Sequence, residues 1–187
     1  GPQIALYAQG ADYHKFLRRA LQAFWEALQV YVSGQEAQYR IVIDTAPLLE
    51  KALAEKTQGS FVGKNTLVIH RHLGSLFVIG SILTNLQLPA DQPTYIDPHR
   101  RGPEGGCGSC RRCQVHCPTG ALDQAYRLDA RRCLAYYTIE HRGTIPVRFW
   151  FALQYYIFGC DICQRVCPYN RKVPASPIFK TWQRAVD

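Results

Sequence analysis

Eight cysteines dominate this chain, and they fall into two motifs and one single position. The first motif reads C-x2-C-x2-C-x3-C and is followed by Pro118, and the second reads C-x2-C-x3-C and is followed by Pro168. The first spacing is typical of bacterial [4Fe–4S] proteins, in which the fourth cysteine of a motif binds the other cluster. The second motif lacks its first cysteine, and Cys133, which stands between the motifs, is the natural replacement.

Counting ligands in this way predicts two complete four-thiolate sites with no cysteine left over. Proline fixes φ and lacks an N–H group, so the proline after each motif turns the chain away from the fourth ligand. We therefore predict two [4Fe–4S] clusters and one-electron chemistry. The first predicted site comprises Cys107, Cys110, Cys113 and Cys167, and the second comprises Cys117, Cys133, Cys160 and Cys163.

Three other uses of the cysteines compete with this interpretation. A disulfide framework suits small secreted chains, but no signal peptide is visible here. Two zinc sites could use C-x2-C pairs, although the four-cysteine run with its proline favours clusters. Inert buried thiols are the third alternative. Cluster assembly needs free thiolates in a reducing compartment, so we expect a cytoplasmic protein.

The composition allows a folded core and leaves a positive surplus. The chain has 187 residues, of which 47% are hydrophobic, so we expect one or two domains. No run of 18 apolar residues occurs, which predicts no membrane span. The sequence begins with Gly-Pro and contains no methionine, from which we expect a fragment or a processed product.

The charge is unevenly distributed along the chain. Residues 1–100 contain 9 Lys and Arg against 8 Asp and Glu, whereas residues 101–187 contain 13 against 6. Two oxidised clusters would offset about 4 of these positive charges, because each four-thiolate cluster carries roughly −2. The remainder favours a polyanionic partner or an acidic electron donor, and a solvated basic surface is the alternative.

Apolar residues recur at steps of three and four over 12–31, which predicts an amphipathic helix with Asp12 as its N-cap. Its predicted buried face is Tyr13, Phe16, Leu17, Ala20, Leu21, Phe24 and Leu28. The chain as a whole is predicted to be α+β. Before residue 107 we predict a strand at 40–43, a helix at 47–56, a loop at 61–66, strands at 67–70 and 76–83 joined by a turn at Gly74, and a linker at 88–106. After residue 107 we predict short helices after the cysteine runs and an aromatic-rich helix at 147–157.

Two further sites are ambiguous on the sequence alone. Gly63-Lys64-Asn65-Thr66 is similar to part of a phosphate-binding loop, but the first glycine of that motif is absent and a structural turn is the default. Asp44 ends a predicted strand, where an acid can reach a ligand or can cap the next helix. Basic and aromatic residues are dense after residue 130, which suits either single-stranded nucleic acid or core packing.

Several stretches together resemble the epoxyqueuosine reductase family, the cobalamin-dependent iron–sulfur enzymes of queuosine biosynthesis. The resemblance extends over nearly the whole chain. It rests on residues 7–15, 43–52, 63–66, 107–110, 117–122, 128–133 and 158–161.

The resemblance implies reduction of epoxyqueuosine to queuosine at the tRNA wobble position, with cobalamin and two [4Fe–4S] clusters as cofactors. Asp44 matches the family's proposed proton donor, and Tyr7, Val68, Ile79 and Asp161 are expected with it around the cobalamin, partly through backbone atoms. The implied partners are a tRNA anticodon stem-loop and an external single-electron donor, and the protein is expected to be a monomer. Arg131 and Arg132 are expected to contact tRNA phosphates.

The resemblance also implies a domain organisation. Residues 1–98 would be the C-terminal part of a cobalamin-binding α/β domain, residues 99–173 a ferredoxin-like module with two [4Fe–4S] clusters, and residues 174–187 a tail leading to a missing C-terminal region. Two other functions stay open. One is a different cobalamin and iron–sulfur reductase, similar to reductive dehalogenases, and the other is an electron-transfer or assembly subunit without cobalamin.

Overall fold

The computed structural model describes residues 3–32, 36–90, 92, 96–97, 99–100, 105–171 and 173. The predicted tail at 174–187 lies outside this range, as do parts of the predicted linker. The described residues form a mixed helix and strand fold, which confirms the α+β class. Its elements are β1 (Gln3–Ile4), α1 (Tyr13–Tyr31), β2 (Tyr39–Val42), α2 (Glu50–Glu55), β3 (Ser60–Val62), β4 (Val68–His70), β5 (Ser81–Thr84), α3 (Arg112–Val115), α4 (Leu134–Ile139), α5 (Trp150–Leu153), β6 (Tyr156–Phe158) and α6 (Ile162–Arg165).

Helix α1 confirms the predicted helix and its cap. The side chain of Asp12 accepts a hydrogen bond from the His14 N–H at 3.0 Å, which satisfies one of the free N–H groups at the helix start. The predicted buried face is partly wrong, because Ala20 and Phe24 are exposed and Trp25 is buried. Trp25 stacks on Tyr39 of β2 with ring centroids 4.4 Å apart. The neighbouring strand therefore decides which side of the helix is covered.

The strands pair differently from the prediction. Strand β4 exists as expected, but it pairs antiparallel with β3, which replaces the start of the predicted loop at 61–66. The next strand begins only at Ser81, and it pairs with β2 rather than with β4. The reason is the tight turn between β3 and β4, in which Thr66 adopts a φ of 64° and the Gly63 N–H donates to the Leu67 carbonyl at 2.9 Å. Because of this turn, β4 pairs with the strand before it, β3, rather than with the strand that follows Gly74.

The N-terminal strand joins the cysteine-rich half of the chain. Strand β1 pairs in parallel with β6, and the Ala5 N–H donates to the Phe158 carbonyl at 2.8 Å. Gly159 adopts a φ of 70°, and a Cβ on it would lie 2.5 Å from Ala5 Cβ. The predicted helix over 147–157 is therefore interrupted, since α5 ends at Leu153 and the chain is extended from Tyr156.

Buried apolar residues collect around part of the cysteine framework. The main core cluster comprises Phe61, Ile69, Ile96, Cys107 and Cys167, with the Tyr169 ring packed at its edge. The predicted boundary near residue 98 stays a prediction, and this core includes residues from both sides of it. No helix in the described ranges is long and apolar enough to cross a membrane.

Candidate functional site

Four cysteines from the two motifs line one cavity of about 250 Å³. Cys107, Cys110 and Cys113 reach it from the first motif, and Cys167 reaches it from the second. Cys113 lies on α3, and this helix packs against α6, which brings the two motifs together. The structure thus groups these four thiols as the spacing predicted.

The other four thiols form a second group. Burial raises the pKa of Cys163 to about 12, and the nearby Cys160, Cys133, Cys113 and Cys117 add to this effect. The pKa of Cys160 rises to about 11 for the same reasons, with burial as the largest cause and Cys133 and Cys117 among its neighbours. Cys113 of the first set is also among the neighbours of Cys163, so these interactions bring the remaining thiols near one another without separating the two sets, and the second ligand set stays a prediction.

The raised pKa values of these thiols bear on how they could bind a metal centre. Burial, as the largest cause, and the adjacent Cys107, Cys110 and Cys167 together raise the pKa of Cys113 to about 11. Without a bound cation, such thiols keep their protons at neutral pH. A metal centre that binds them must displace the protons, and its positive charge then compensates the crowded thiolates.

The loop that carries Cys117 is held by Arg132. The guanidinium of Arg132 donates to the Thr119 carbonyl at 2.9 Å and lies 3.5 Å from Asp123. Gly120 has a φ of 63°, and a Cβ there would lie 2.5 Å from Arg132 Nη2. Arg132 therefore has a structural contact inside the module. Arg131 instead extends over the surface and pairs with Asp129 at 3.0 Å.

Asp44 lies at the end of β2 with its carboxylate directed toward α1. The Tyr13 phenol donates to Asp44 Oδ2 at 2.9 Å, and His14 Nε2 lies 3.8 Å from the same oxygen. Asp44 adopts a φ of 53°, and its N–H donates to Glu50 Oε2 at 2.8 Å. The N-cap of α2 is Leu49, so the carboxylate of Asp44 does not cap that helix.

Tyr7 and Asp161 lie close to this carboxylate. The rings of Tyr7 and Tyr13 meet edge to face with centroids 6.1 Å apart. Burial raises the pKa of Tyr7, and the charges of Asp161, Glu140 and Asp44 raise it further. Asp161 is buried, and its carboxylate accepts the Leu6 N–H at 2.6 Å. Three predicted cofactor contacts, Tyr7, Asp44 and Asp161, therefore share one region.

The other two predicted contacts lie on separate segments. Val68 is buried in β4, next to Ile69 on the wall of the first thiol cavity. Ile79 precedes Gly80, where an added Cβ would lie 3.6 Å from Ile43 Cγ1. Ile79 lies just before β5, outside any strand, and its predicted contact with the cofactor stays a prediction.

Residues 75–80 connect the cysteine module with the carboxylate region. At one end, Ser75 accepts a hydrogen bond from Asn170 Nδ2 at 3.0 Å and donates to Gln164 Oε1 at 3.1 Å. At the other end, Gly80 packs against Ile43. Between them, Leu76, Phe77 and Val78 are 36–39% exposed and belong to no strand. This segment, called the apolar bridge below, links the two regions along the chain.

Several residues of these sites were not predicted from their positions in the sequence. Tyr13 was expected only on the helix face, and Lys64 and Asn65 were expected in an ordinary turn. Lys64 contacts the first motif, because its backbone N–H donates to Cys107 Sγ at 3.4 Å. The available signal was the resemblance itself, which included both stretches.

The chain is similar to known proteins over most of its length. A family model described as "Epoxyqueuosine reductase QueG, DUF1730" matches residues 1–45, and a model for a "4Fe-4S double cluster binding domain" matches residues 106–170. An epoxyqueuosine reductase of Burkholderia pseudomallei is 42% identical over 175 residues, which are 94% of this chain and 42% of that protein.

Solved structures give the same result. The structure of epoxyqueuosine reductase from Streptococcus thermophilus superposes with a TM-score of 0.80 at 34% identity, over 94% of this chain and 45% of that chain. A crystal structure of epoxyqueuosine reductase with an epoxyqueuosine-modified tRNA-Tyr stem loop gives a TM-score of 0.80 at 30% identity, over 95% of this chain and 44% of that chain. The chain thus spans less than half the length of these relatives.

Proposed function

Because the chain belongs to the epoxyqueuosine reductase family over the length that it spans, we propose that its protein reduces the epoxide of epoxyqueuosine to queuosine in tRNA. The reaction would use two [4Fe–4S] clusters and one cobalamin. The observation that carries the proposal is the position of Asp44. Its carboxylate is held by Tyr13 at 2.9 Å, and the apolar bridge joins its region to the double-cluster domain.

The cysteine module has the donors that two clusters require. Each thiol group contains four cysteines, and soft thiolates are the ligands of iron–sulfur clusters. Cys113 and Cys163 lie on packed helices, which supports one-electron transfer between the two centres. In this proposal the clusters accept single electrons from an external donor.

The surface around Asp44 has features that fit a corrin. Large cofactor sites are mostly apolar with a few placed polar groups. The half-exposed Leu76, Phe77 and Val78 supply apolar side chains, and Tyr7, Asp161 and the backbone near Ile79 supply polar groups nearby. When bound, cobalamin would supply a low-valent metal centre for reduction of the substrate.

Within this proposal Asp44 is the proton donor. Reduction of an epoxide to an alkene takes up two electrons and two protons and releases water, and a positioned carboxylic acid can deliver the first proton to the oxygen as the ring opens. The Tyr13 phenol occupies Oδ2, which leaves Oδ1 for the proton. Burial raises the pKa of Tyr13, and its bond to Asp44 raises it further, so the phenol stays protonated and keeps its donor role.

The substrate and compartment follow from the same family. We propose that the anticodon stem-loop of tRNA presents the modified base to the Asp44 region, and that the basic second half of the chain contributes to binding. Eight free cysteines fit the reducing cytoplasm. The protein is proposed to act as a monomer.

Spectroscopy and turnover of the intact protein would test this function. We expect bound cobalamin in the absorbance spectrum, about eight irons per chain, and conversion of an epoxyqueuosine-containing tRNA stem-loop by a chemically reduced sample. Clusters without cobalamin would instead support the electron-transfer or assembly subunit. Cobalamin with no conversion of the tRNA would support a different cobalamin and iron–sulfur reductase.

A further inference from the structure

Asn65 lines the first thiol cavity and carries a buried side-chain amide. The residue is only 4% exposed, and it lines the same cavity as Cys107, Cys110, Cys113 and Cys167. Its Nδ2 atom is buried and has no hydrogen-bond partner within the described structure. A buried N–H donor without a partner keeps its full desolvation cost, so such groups normally have an acceptor.

The neighbouring backbone fixes which side of the amide points away. The Leu67 N–H donates to Asn65 Oδ1 at 3.4 Å, so the oxygen is directed toward the turn. If the amide were flipped, its Nδ2 group would face the Leu67 N–H, and two donors facing each other are unfavourable. Gly63 permits this position, since a Cβ there would lie 2.8 Å from Asn65 Oδ1. Nδ2 is therefore the amide atom left over for the cavity.

Lys64, the preceding residue, already contacts the same thiol group. Its backbone N–H donates to Cys107 Sγ at 3.4 Å, and its Nζ donates to the carbonyls of Gly108 and Cys110 at 2.5 and 3.1 Å. The β3–β4 turn thus places an ammonium group and two N–H donors beside one thiol set. Hydrogen bonds to the sulfurs and nearby charge are among the factors that set the reduction potential of a cluster.

We propose that the Asn65 side-chain amide donates a hydrogen bond to a sulfur of the cluster bound by Cys107, Cys110, Cys113 and Cys167, and thereby raises its reduction potential. Reduction adds one negative charge to the cluster, and a donor aimed at sulfur stabilises the reduced form more than the oxidised form. Asn65 is then a positioning and tuning residue for one cluster. The inference rests only on the cluster part of the proposed function and does not depend on cobalamin or tRNA.

Potentiometric EPR titration of both clusters in the intact protein tests the proposal. Asn65→Leu removes the donor at similar size, and we expect the midpoint potential of the first cluster to fall, with at least a few-fold loss in its equilibrium constant for reduction. Asn65→Ser keeps a smaller donor and should give a lesser shift. Glu55→Gln, an exposed change on α2 outside the cavity lining, should leave the potential unchanged.

The second cluster provides an internal reference in every sample. An unchanged first potential in Asn65→Leu, or an equal shift of both clusters, would overturn the proposal. If Asn65→Leu fails to load the first cluster, the comparison of Asn65→Ser with Glu55→Gln decides, and equal first-cluster potentials in those two variants would reject the hydrogen bond. Iron content distinguishes a failure of this proposal from a failure of the proposed function. A wild-type protein that lacks about eight irons would refute the two clusters themselves, whereas a fully loaded protein leaves only the hydrogen bond in question.

Discussion

Tyr13 donates a hydrogen bond to Asp44 across 31 positions of the chain, with 2.9 Å between the phenol oxygen and Oδ2. The phenol lies in the first turn of α1, and the carboxylate follows β2. A strand end and a helix start therefore meet at one carboxyl group, whose residue adopts a left-handed φ of 53°. Such a conformation costs a non-glycine residue about 1–2 kcal/mol, and strained residues of this kind cluster at functional sites.

Replacement of the acid should abolish most of the proposed chemistry. We expect Asp44→Asn to keep the fold but to lower single-turnover epoxide reduction by roughly 10² or more, because an amide cannot supply the proton. Tyr13→Phe should lower the rate less, since the acid remains but loses its hydrogen bond. Rapid-quench analysis of the modified nucleoside measures both rates. Glu55→Gln, an exposed change on α2, is the control, and a rate within a few-fold of wild type for Asp44→Asn would remove Asp44 from the mechanism.

The crossed ligand sets can be distinguished by which cluster each variant loses. We expect Cys117→Ala and Cys133→Ala to damage the same cluster, although they lie in different parts of the sequence, because both belong to the second thiol group. Cys107→Ala should damage the other cluster. Each variant should retain about four irons, and low-temperature EPR identifies the surviving centre. Retention of about eight irons in Cys133→Ala would contradict the assignment.

The two adjacent arginines should behave differently toward tRNA. Arg131 extends over the surface, so Arg131→Gln should weaken binding of all tRNAs to a similar degree and reduce the salt dependence by about one ion equivalent at most. Arg132→Gln should mainly loosen the Cys117 loop, because it removes the bond to the Thr119 carbonyl. Binding titrations at several salt concentrations, with thermal melts of each variant, measure both effects. An unchanged salt slope for Arg131→Gln would exclude its phosphate contact.

Removal of the clusters should make the protein sensitive to alkali. Burial raises the pKa of Cys163 from 9.0 to about 12 in the folded chain without metal, so above about pH 9 the unfolded state releases a proton that the folded state keeps. The folded state then loses stability as pH rises from about 9 to 12, by at most about 1.4 kcal/mol per pH unit for each such thiol. Denaturant unfolding of the cluster-free protein at pH 8 and pH 10 checks this.

The matched control for this pH effect is Cys163→Ser, which removes the titrating thiol at similar size. Its cluster-free form should show a shallower fall in unfolding free energy than the cluster-free parent. The loaded parent should also resist alkali, because its thiolates are already deprotonated by iron. Equal pH slopes in the parent and in Cys163→Ser would show that this thiol does not keep its proton in the folded state.

The sequence by itself determined the features that depend on spacing along the chain. The two cysteine motifs predicted which thiols would be grouped, because the intervals of two and three residues fix how closely neighbouring ligands can approach. The periodicity over 12–31 predicted α1 and its Asp12 cap in the same way, since helix geometry is local. The position of Asp44 just after a strand was also predicted from the sequence, whereas its role as proton donor came only from the resemblance and stays a prediction.

Only the tertiary structure decided which distant groups meet. Trp25 is buried instead of Phe24 because β2 covers that side of the helix, and β6 forms because β1 arrives to pair with it. The same is true of the bond from Tyr13 to Asp44 and of the inward direction of Arg132. These contacts depend on the free energy of packing whole elements together, which no pattern within a short window of sequence contains.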